Sequence, residues 1–200
     1  MTKKAMKLML AVQVKSGLWF LFTYALIVGI LSVVFHYIQN IDTEWMGIST
    51  MYAPKIYLLV MGIVYPLITL ELYISRGLTR RQYFLAFMGT MSILALVFLI
   101  PTLIAQICLG TITPFSVILN YVQMPMFFLA GWSAGTGFHF RKWYAPFLGI
   151  LSAVACFQIM NLAAVLLNWP DIAQLGIALL LLAAQLILLP RIISRIPIKC

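Results

Sequence analysis

Hydrophobic and polar positions along this chain do not alternate. They form long apolar blocks separated by short clusters of charged and turn-forming residues. The first block covers residues 17–37 and ends before Gln39, Asn40, Asp42 and Glu44. The second covers 56–75, between Lys55 and Arg76, and the third 83–104. The fourth, 115–132, contains Pro125, which predicts a kink. A fifth block at 144–167 is closed by the turn signal Asn168, Trp169, Pro170, Asp171. The sixth covers 172–189, with Pro190 and Arg191 expected to stop it. Each block has close to the roughly 20 residues that a helix needs to cross the hydrocarbon core. Inside lipid only helices and closed barrels satisfy their own backbone groups. A barrel strand alternates between apolar and polar positions, whereas 177–189 is apolar on every side. The pattern predicts an all-α integral membrane protein with six transmembrane helices.

Composition agrees. Hydrophobic residues make up 64% of the 200, and only 8% are charged, against roughly a quarter in a soluble domain. No Asp, Glu, Lys or Arg occurs from Gln82 to Phe140, so that stretch holds two spans and the turn between them. On the six-span arrangement, Asp42, Glu44, Lys55 and Asp171 fall on one side. Lys3, Lys4, Lys7, Lys15, Arg76, Arg80, Arg81, Arg141, Lys142, Arg191, Arg195 and Lys199 fall on the other. The positive-inside rule makes that second side cytoplasmic, together with both termini. The expected location is a membrane crossed several times.

The net charge of +9 is then a topology signal and a contact with the lipid bilayer. No basic domain outside the membrane is left to bind nucleic acid. Ahead of the first span, residues 1–16 place Lys3, Lys7 and Lys15 at multiples of four, with Met6, Met9, Leu10 and Val14 able to turn away. That pattern predicts an amphipathic helix in the interface, followed by one transmembrane domain over 17–200. A cleaved signal peptide would also begin with basic residues. Here, however, the apolar region runs into a full span without an Ala-x-Ala site.

Little in the chain suggests catalysis. Cys108, Cys156 and Cys200 match no metal spacing, and His36 and His139 are expected near opposite membrane faces. No HExxH, GxSxG or paired intramembrane aspartates occur, and no GxxxxGK[ST] loop for nucleotide phosphates. Ser92 and Ser152 are expected to bond to their own helix backbone. Gly131 and Gly135 form a GxxxG step that allows close helix approach. Glu71, one turn before the end of the second span, is the one acid on the basic half. It can snorkel, pair with Arg76 or Arg80, or serve transport. Gln106, Asn120, Gln123, Gln158, Asn161 and Gln185 can bond across helices or line a path for an amphipathic molecule. Glu71, Asn120 and Gln123 are the candidate intramembrane polar site.

The most specific motif follows the second span and reads Ser75-Arg76-Gly77-Leu78-Thr79-Arg80-Arg81-Gln82-Tyr83-Phe84. Gly77 suits the left-handed residue that ends a helix. Thr79 with Gln82 is a capping box that starts the next one. A tight basic corner is predicted. These ten residues closely resemble the Ser-x-Gly-x-Thr-Arg-Arg/Lys-x-x-Phe corner of small ABC transporter permeases of Firmicutes, in the type-2 exporter class. That resemblance implies six spans, an interfacial N-terminal helix and cytoplasmic termini, in a bacterial plasma membrane. It also implies that Ser75, Arg76, Gly77, Leu78, Thr79, Arg80 and Arg81 contact a separate cytoplasmic ATPase subunit, which would carry ATP and Mg. The chain departs from many relatives in its very short segment between spans five and six, where they have a re-entrant hairpin.

The expected function is therefore the permease half of an ATP-driven exporter, without catalysis or cofactors of its own. It would pair with a second copy or a related permease and move an amphipathic or peptide-like cargo, such as a peptide antibiotic. The alternative is a motor-independent immunity protein that sequesters a toxic peptide or partners a sensor. A lipid-modifying enzyme would need a nucleophile or metal site not found here. An ion-driven carrier would show an inverted repeat, and none is evident.

Overall fold

A computed structural model describes residues 2–39, 44–109, 113–140, 143–162 and 170–196. It contains helices α1 (Thr2–Gln39), α2 (Glu44–Ser75), α3 (Arg80–Leu109), α4 (Pro114–Gly137), α5 (Tyr144–Asn161) and α6 (Asp171–Ser194), and no strand among the described residues. All but α5 contain a stretch of at least 23 residues apolar enough to cross a membrane. The chain is thus an all-helical protein of the multi-pass membrane type. The described part of α5 is apolar but shorter than a span. Residues 163–167 of the fifth predicted block, and Asn168 and Trp169 of the turn after it, lie outside the described residues. So do Asn40, Asp42, Arg141, Lys142, Lys199 and Cys200.

Helix α4 organises the bundle. It is mostly buried, polar residues included, and it packs against α2, α3, α5 and α6. Its start is defined by Thr113, whose hydroxyl accepts from the Ser116 N–H while Ser116 Oγ accepts from the Thr113 N–H, both at 3.0 Å. Pro114 occupies the first turn, where its missing N–H costs nothing. The helix continues through Pro125 to Gly137.

The α2–α4 crossing is built on glycine. A Cβ on Gly62 would strike the Phe128 carbonyl oxygen, and one on Gly131 the Leu59 carbonyl oxygen. One on Gly135 would lie 2.7 Å from Pro66 Cγ and meet the Ile63 carbonyl. The Gly131/Gly135 step does bring backbones together, and Gly62 on α2 is its counterpart. A similar approach joins α4 to α5, where a Cβ on Gly149 would stand 2.6 Å from the Ser133 carbonyl oxygen.

Beside this crossing, aromatic rings fill the bundle between α2, α3 and α4. Trp132 is fully buried and stacks on Phe84 at 5.0 Å and Phe87 at 5.3 Å. Phe87 in turn stacks on Phe128 at 5.0 Å and contacts Tyr65 at the same separation. Such ring pairs add to the packing beyond their buried area.

Two elements differ from the sequence expectation. Helix α6 does not stop at Pro190 but continues to Ser194. One proline near a helix end removes a single backbone bond, and the last carbonyls of α6 have another donor, described below. Helix α1 runs without a break through residue 16, where an interfacial helix was expected to give way to the first span. Met9 and Gln13 are buried in the bundle rather than turned along a surface. Gly17 lies against Leu94 and Phe98, and Ser16 Oγ is 2.7 Å from the Tyr57 hydroxyl. Phe20 stacks on Tyr57 at 4.3 Å. The missing Cβ at Gly17 lets the Phe98 ring reach the α1 backbone, and this contact sets the register of α1. Beyond it, Trp19, Phe22, Leu26, Ile27 and Ile30 are exposed.

Candidate coupling corner and buried polar site

The α2–α3 corner has the geometry its residues predict. Gly77 has φ +87, a left-handed conformation open to glycine at little cost. Its N–H donates to Ile74 O at 2.9 Å, and the Leu78 N–H donates to Tyr73 O at 3.1 Å. These two bonds form the Schellman closure that satisfies a helix C-terminus. Thr79 and Gln82 then exchange reciprocal bonds at 3.2 Å, a capping box that opens α3. With both helix ends satisfied locally, the corner is rigid without support from another subunit.

The seven residues assigned to the corner separate into two roles. Ser75, Arg76, Gly77, Thr79 and Arg81 are exposed, while Leu78 and Arg80 are half-buried. The Ser75 hydroxyl turns back to Leu72 O at 2.9 Å. Arg80 donates through Nη1 to the carbonyls of Ile193 and Ser194 at the end of α6. A guanidinium there meets the last carbonyls of the helix and the negative end of its dipole. Arg80 is therefore a tie between the corner and α6, and Arg76 and Arg81 are the arginines left facing outward. Thr79, Arg80 and Arg81 also line a cleft of 440 Å³ against Pro190, Ile193 and Ser194. Just inside the corner, the Tyr83 hydroxyl is 2.7 Å from Thr69 Oγ1, and Phe84 stacks on Trp132. Corner and α4 are in direct contact through that stack.

Arg80→Ala should destabilise the detergent-solubilised protein by about 1–2 kcal/mol, the loss of a partly exposed charge-assisted bond, and so lower its melting point. Arg76→Ala and Arg81→Ala should leave it unchanged. Equal effects from all three would show that Arg80 does not hold α6.

The predicted polar site does not assemble. Asn120 and Gln123 are buried together on α4, with Asn120 Nδ2 donating to Ser116 O at 2.9 Å. Glu71 lies elsewhere, with 60% of its side chain exposed, and faces His139 Nδ1 at 3.6 Å rather than Arg76 or Arg80. The other His139 nitrogen, Nε2, is 2.9 Å from Pro66 O, so this ring bridges the end of α4 to α2. His139 is 16 positions beyond Gln123, about 24 Å along a helix axis.

The partner that Gln123 does have is Lys55. Lys55 Nζ donates to Gln123 Oε1 at 2.6 Å and stands 5.2 Å from the Tyr52 ring centroid. Only 6% of Lys55 is exposed. It lies 20 positions from Ser75 on α2, about 30 Å along the axis, which is the full thickness of a hydrocarbon core. Its place at the edge of an apolar block suggested a loop residue. The available signal was the facing amide on another span. The remaining amides are less well served: Gln106 Oε1 and Gln185 Oε1 are buried without hydrogen-bond partners, although Gln185 Nε2 reaches Cys156 Sγ at 3.2 Å. Ser92 bonds to Met88 O and Ser152 to Gly149 O, as helix serines usually do.

No family model matches the chain, and no curated protein or solved structure matches it either.

Proposed function

We propose that this chain is the permease subunit of an ATP-driven exporter in a bacterial plasma membrane, with the basic corner and both termini on the cytoplasmic side. The observation that carries the reading is the corner itself. It is closed by its own caps, presents Arg76 and Arg81 outward, and is tied through Arg80 to α6. A surface of this kind can receive a cytoplasmic ATPase subunit that carries ATP and Mg. Displacing it would move α2, α3 and the end of α6 as one body. The stack of Phe84 on Trp132 would pass that movement to α4, which touches most of the bundle. A second copy or a related permease would complete an enclosed path for an amphipathic or peptide-like cargo.

The test is mild-detergent purification of the tagged chain from its native membrane, followed by identification of co-purifying proteins. An ATPase subunit is expected with the wild type. In the double variant Arg76→Ala/Arg81→Ala its recovery should drop about tenfold or more, because exposed arginines commonly act as interface hot spots. Insertion and melting should be unchanged. A chain that purifies alone across several mild detergents would instead favour a motor-independent immunity or sensor-partner protein.

A further inference from the structure

At the basic end of the bundle, α4, α5 and the end of α6 do not close on one another. They leave a cleft of 660 Å³, within the usual size range of a small-molecule site. Its composition is graded along its length. At one end stand Arg195 and Tyr144, and at the other Ser133 and Ser152, with Leu148 and Gly149 between them. Tyr144 and Ser152 are eight positions apart on α5, about 12 Å along the helix. The Ser133 and Ser152 hydroxyls are 2.6 Å apart, and each also has a backbone carbonyl of its own helix within reach, so their two protons serve these three contacts by turns. Both residues line the cleft and present one polar pair to it.

The charge at the mouth is available. Arg195 is exposed, and among the described residues no hydrogen bond or ion pair engages its guanidinium. The terminal carbonyls of α6, its nearest natural acceptors, are already taken by Arg80. Below the mouth the flanking surface is lipid-like: Phe147, Leu148 and Leu151 on α5 and Ile187 and Leu188 on α6 are all exposed. A cation at the mouth, hydroxyls further in and apolar flanks match an amphiphile whose anionic group lies at the membrane surface. Basic pockets between helices are a recognised way of holding anionic headgroups.

We propose that this cleft holds one anionic glycerophospholipid, with its phosphate on Arg195 and Tyr144 and its ester-linked backbone against the Ser133–Ser152 pair. The acyl chains leave along the exposed faces of α5 and α6. Guanidinium suits this role because its fork can take two phosphate oxygens at once. The site would fill the gap between α5 and α6 and steady the end of α6 that Arg80 also holds. It stands whether or not a motor subunit docks at the corner.

The experiment uses the full chain, reconstituted in nanodiscs of equal parts phosphatidylglycerol and phosphatidylcholine. Lipids retained after release are counted by native mass spectrometry. The wild type should keep one phosphatidylglycerol per chain. Arg195→Gln should reduce that retention about tenfold by removing the one charge that lines the cleft among the described residues. Ser152→Leu should reduce it by filling the polar end, and Arg191→Gln, which changes a neighbouring arginine outside the cleft, should not. Because Arg195 is exposed and has no partner among the described residues, its variant should melt like the wild type, so a folding defect in Ser152→Leu would not hide the answer. Equal retention of phosphatidylcholine would overturn the proposal. So would unchanged retention in Arg195→Gln, or an equal loss in Arg191→Gln. Release by excess inorganic phosphate would point instead to a free-anion site and would also overturn it.

Discussion

Gly131→Leu is expected to abolish the folded bundle, and Gly131→Ala to destabilise it severely. A Cβ at this position would collide with the Leu59 carbonyl oxygen and stand 3.0 Å from the Leu59 carbonyl carbon. Both are backbone atoms, so no side-chain rotation relieves the clash and the two helices must separate. Separation would break the Gly62 and Gly135 contacts along the same line, because all three glycines share one crossing. Even alanine should therefore cost about 3 kcal/mol, the upper end of the range for overpacked interiors. Gly62→Ala should behave the same way, and the two effects should be far from additive. Gly176→Ala provides the contrast, since nothing lies within 4 Å of its added Cβ; a helical alanine there should cause no loss. Unfolding by titration with a denaturing detergent reads all four. A Gly131→Ala variant as stable as wild type would show that α2 and α4 do not cross at this distance.

Gln123→Leu should be the most damaging polar substitution. It removes the acceptor from Lys55 Nζ and leaves an ammonium inside the protein with the Tyr52 ring as its one other contact among the described residues. Breaking a buried charge interaction from one side costs about 3 kcal/mol or more. Lys55→Met should be milder, because it removes the charge and leaves only a neutral amide unsatisfied, at about 1–3 kcal/mol. The double variant Lys55→Met/Gln123→Leu should recover most of the stability, since two apolar side chains can replace a buried pair. If Gln123→Leu proves no worse than Lys55→Met, the buried ammonium does not depend on this contact.

How much of this was legible in the chain depends on the range of the interactions. Gly77, Thr79 and Gln82 could be assigned directly, because a Schellman closure and a capping box involve neighbours within six residues. The close approach at Gly131 and Gly135 was legible as a capacity, but its partner Gly62 was not, since nothing local says which helix will lie opposite. Glu71 illustrates the limit. Sequence proximity suggested Arg76 or Arg80, whereas the fold gives it His139, 68 positions away, and turns Arg80 to the end of α6. Lys55 read as a loop residue because charge beside an apolar block ordinarily meets water. Its burial depends on Gln123 being delivered to the same depth by α4, which runs parallel to α2. Across residue 16 the chain is one helix with Gly17 against Phe98, a contact that an amphipathic pattern cannot reveal.

By itself the sequence determined that this protein is helical and built to cross a membrane several times. Backbone groups in lipid must be satisfied within their own segment, so apolar length alone specifies the element. It also determined the caps of the basic corner, since those bonds close within a few residues. Only the tertiary structure decided that α4 is the hub, that α1 enters the bundle through Gly17, and that Lys55 and Gln123 share a buried site. It also decided that Arg80 is held by α6 while Arg76 and Arg81 face outward. Apolar surface drives burial without direction. Which helices touch, and at what depth, is chosen by shape: missing Cβ atoms, stacked rings and polar groups that must find one another across distant parts of the chain.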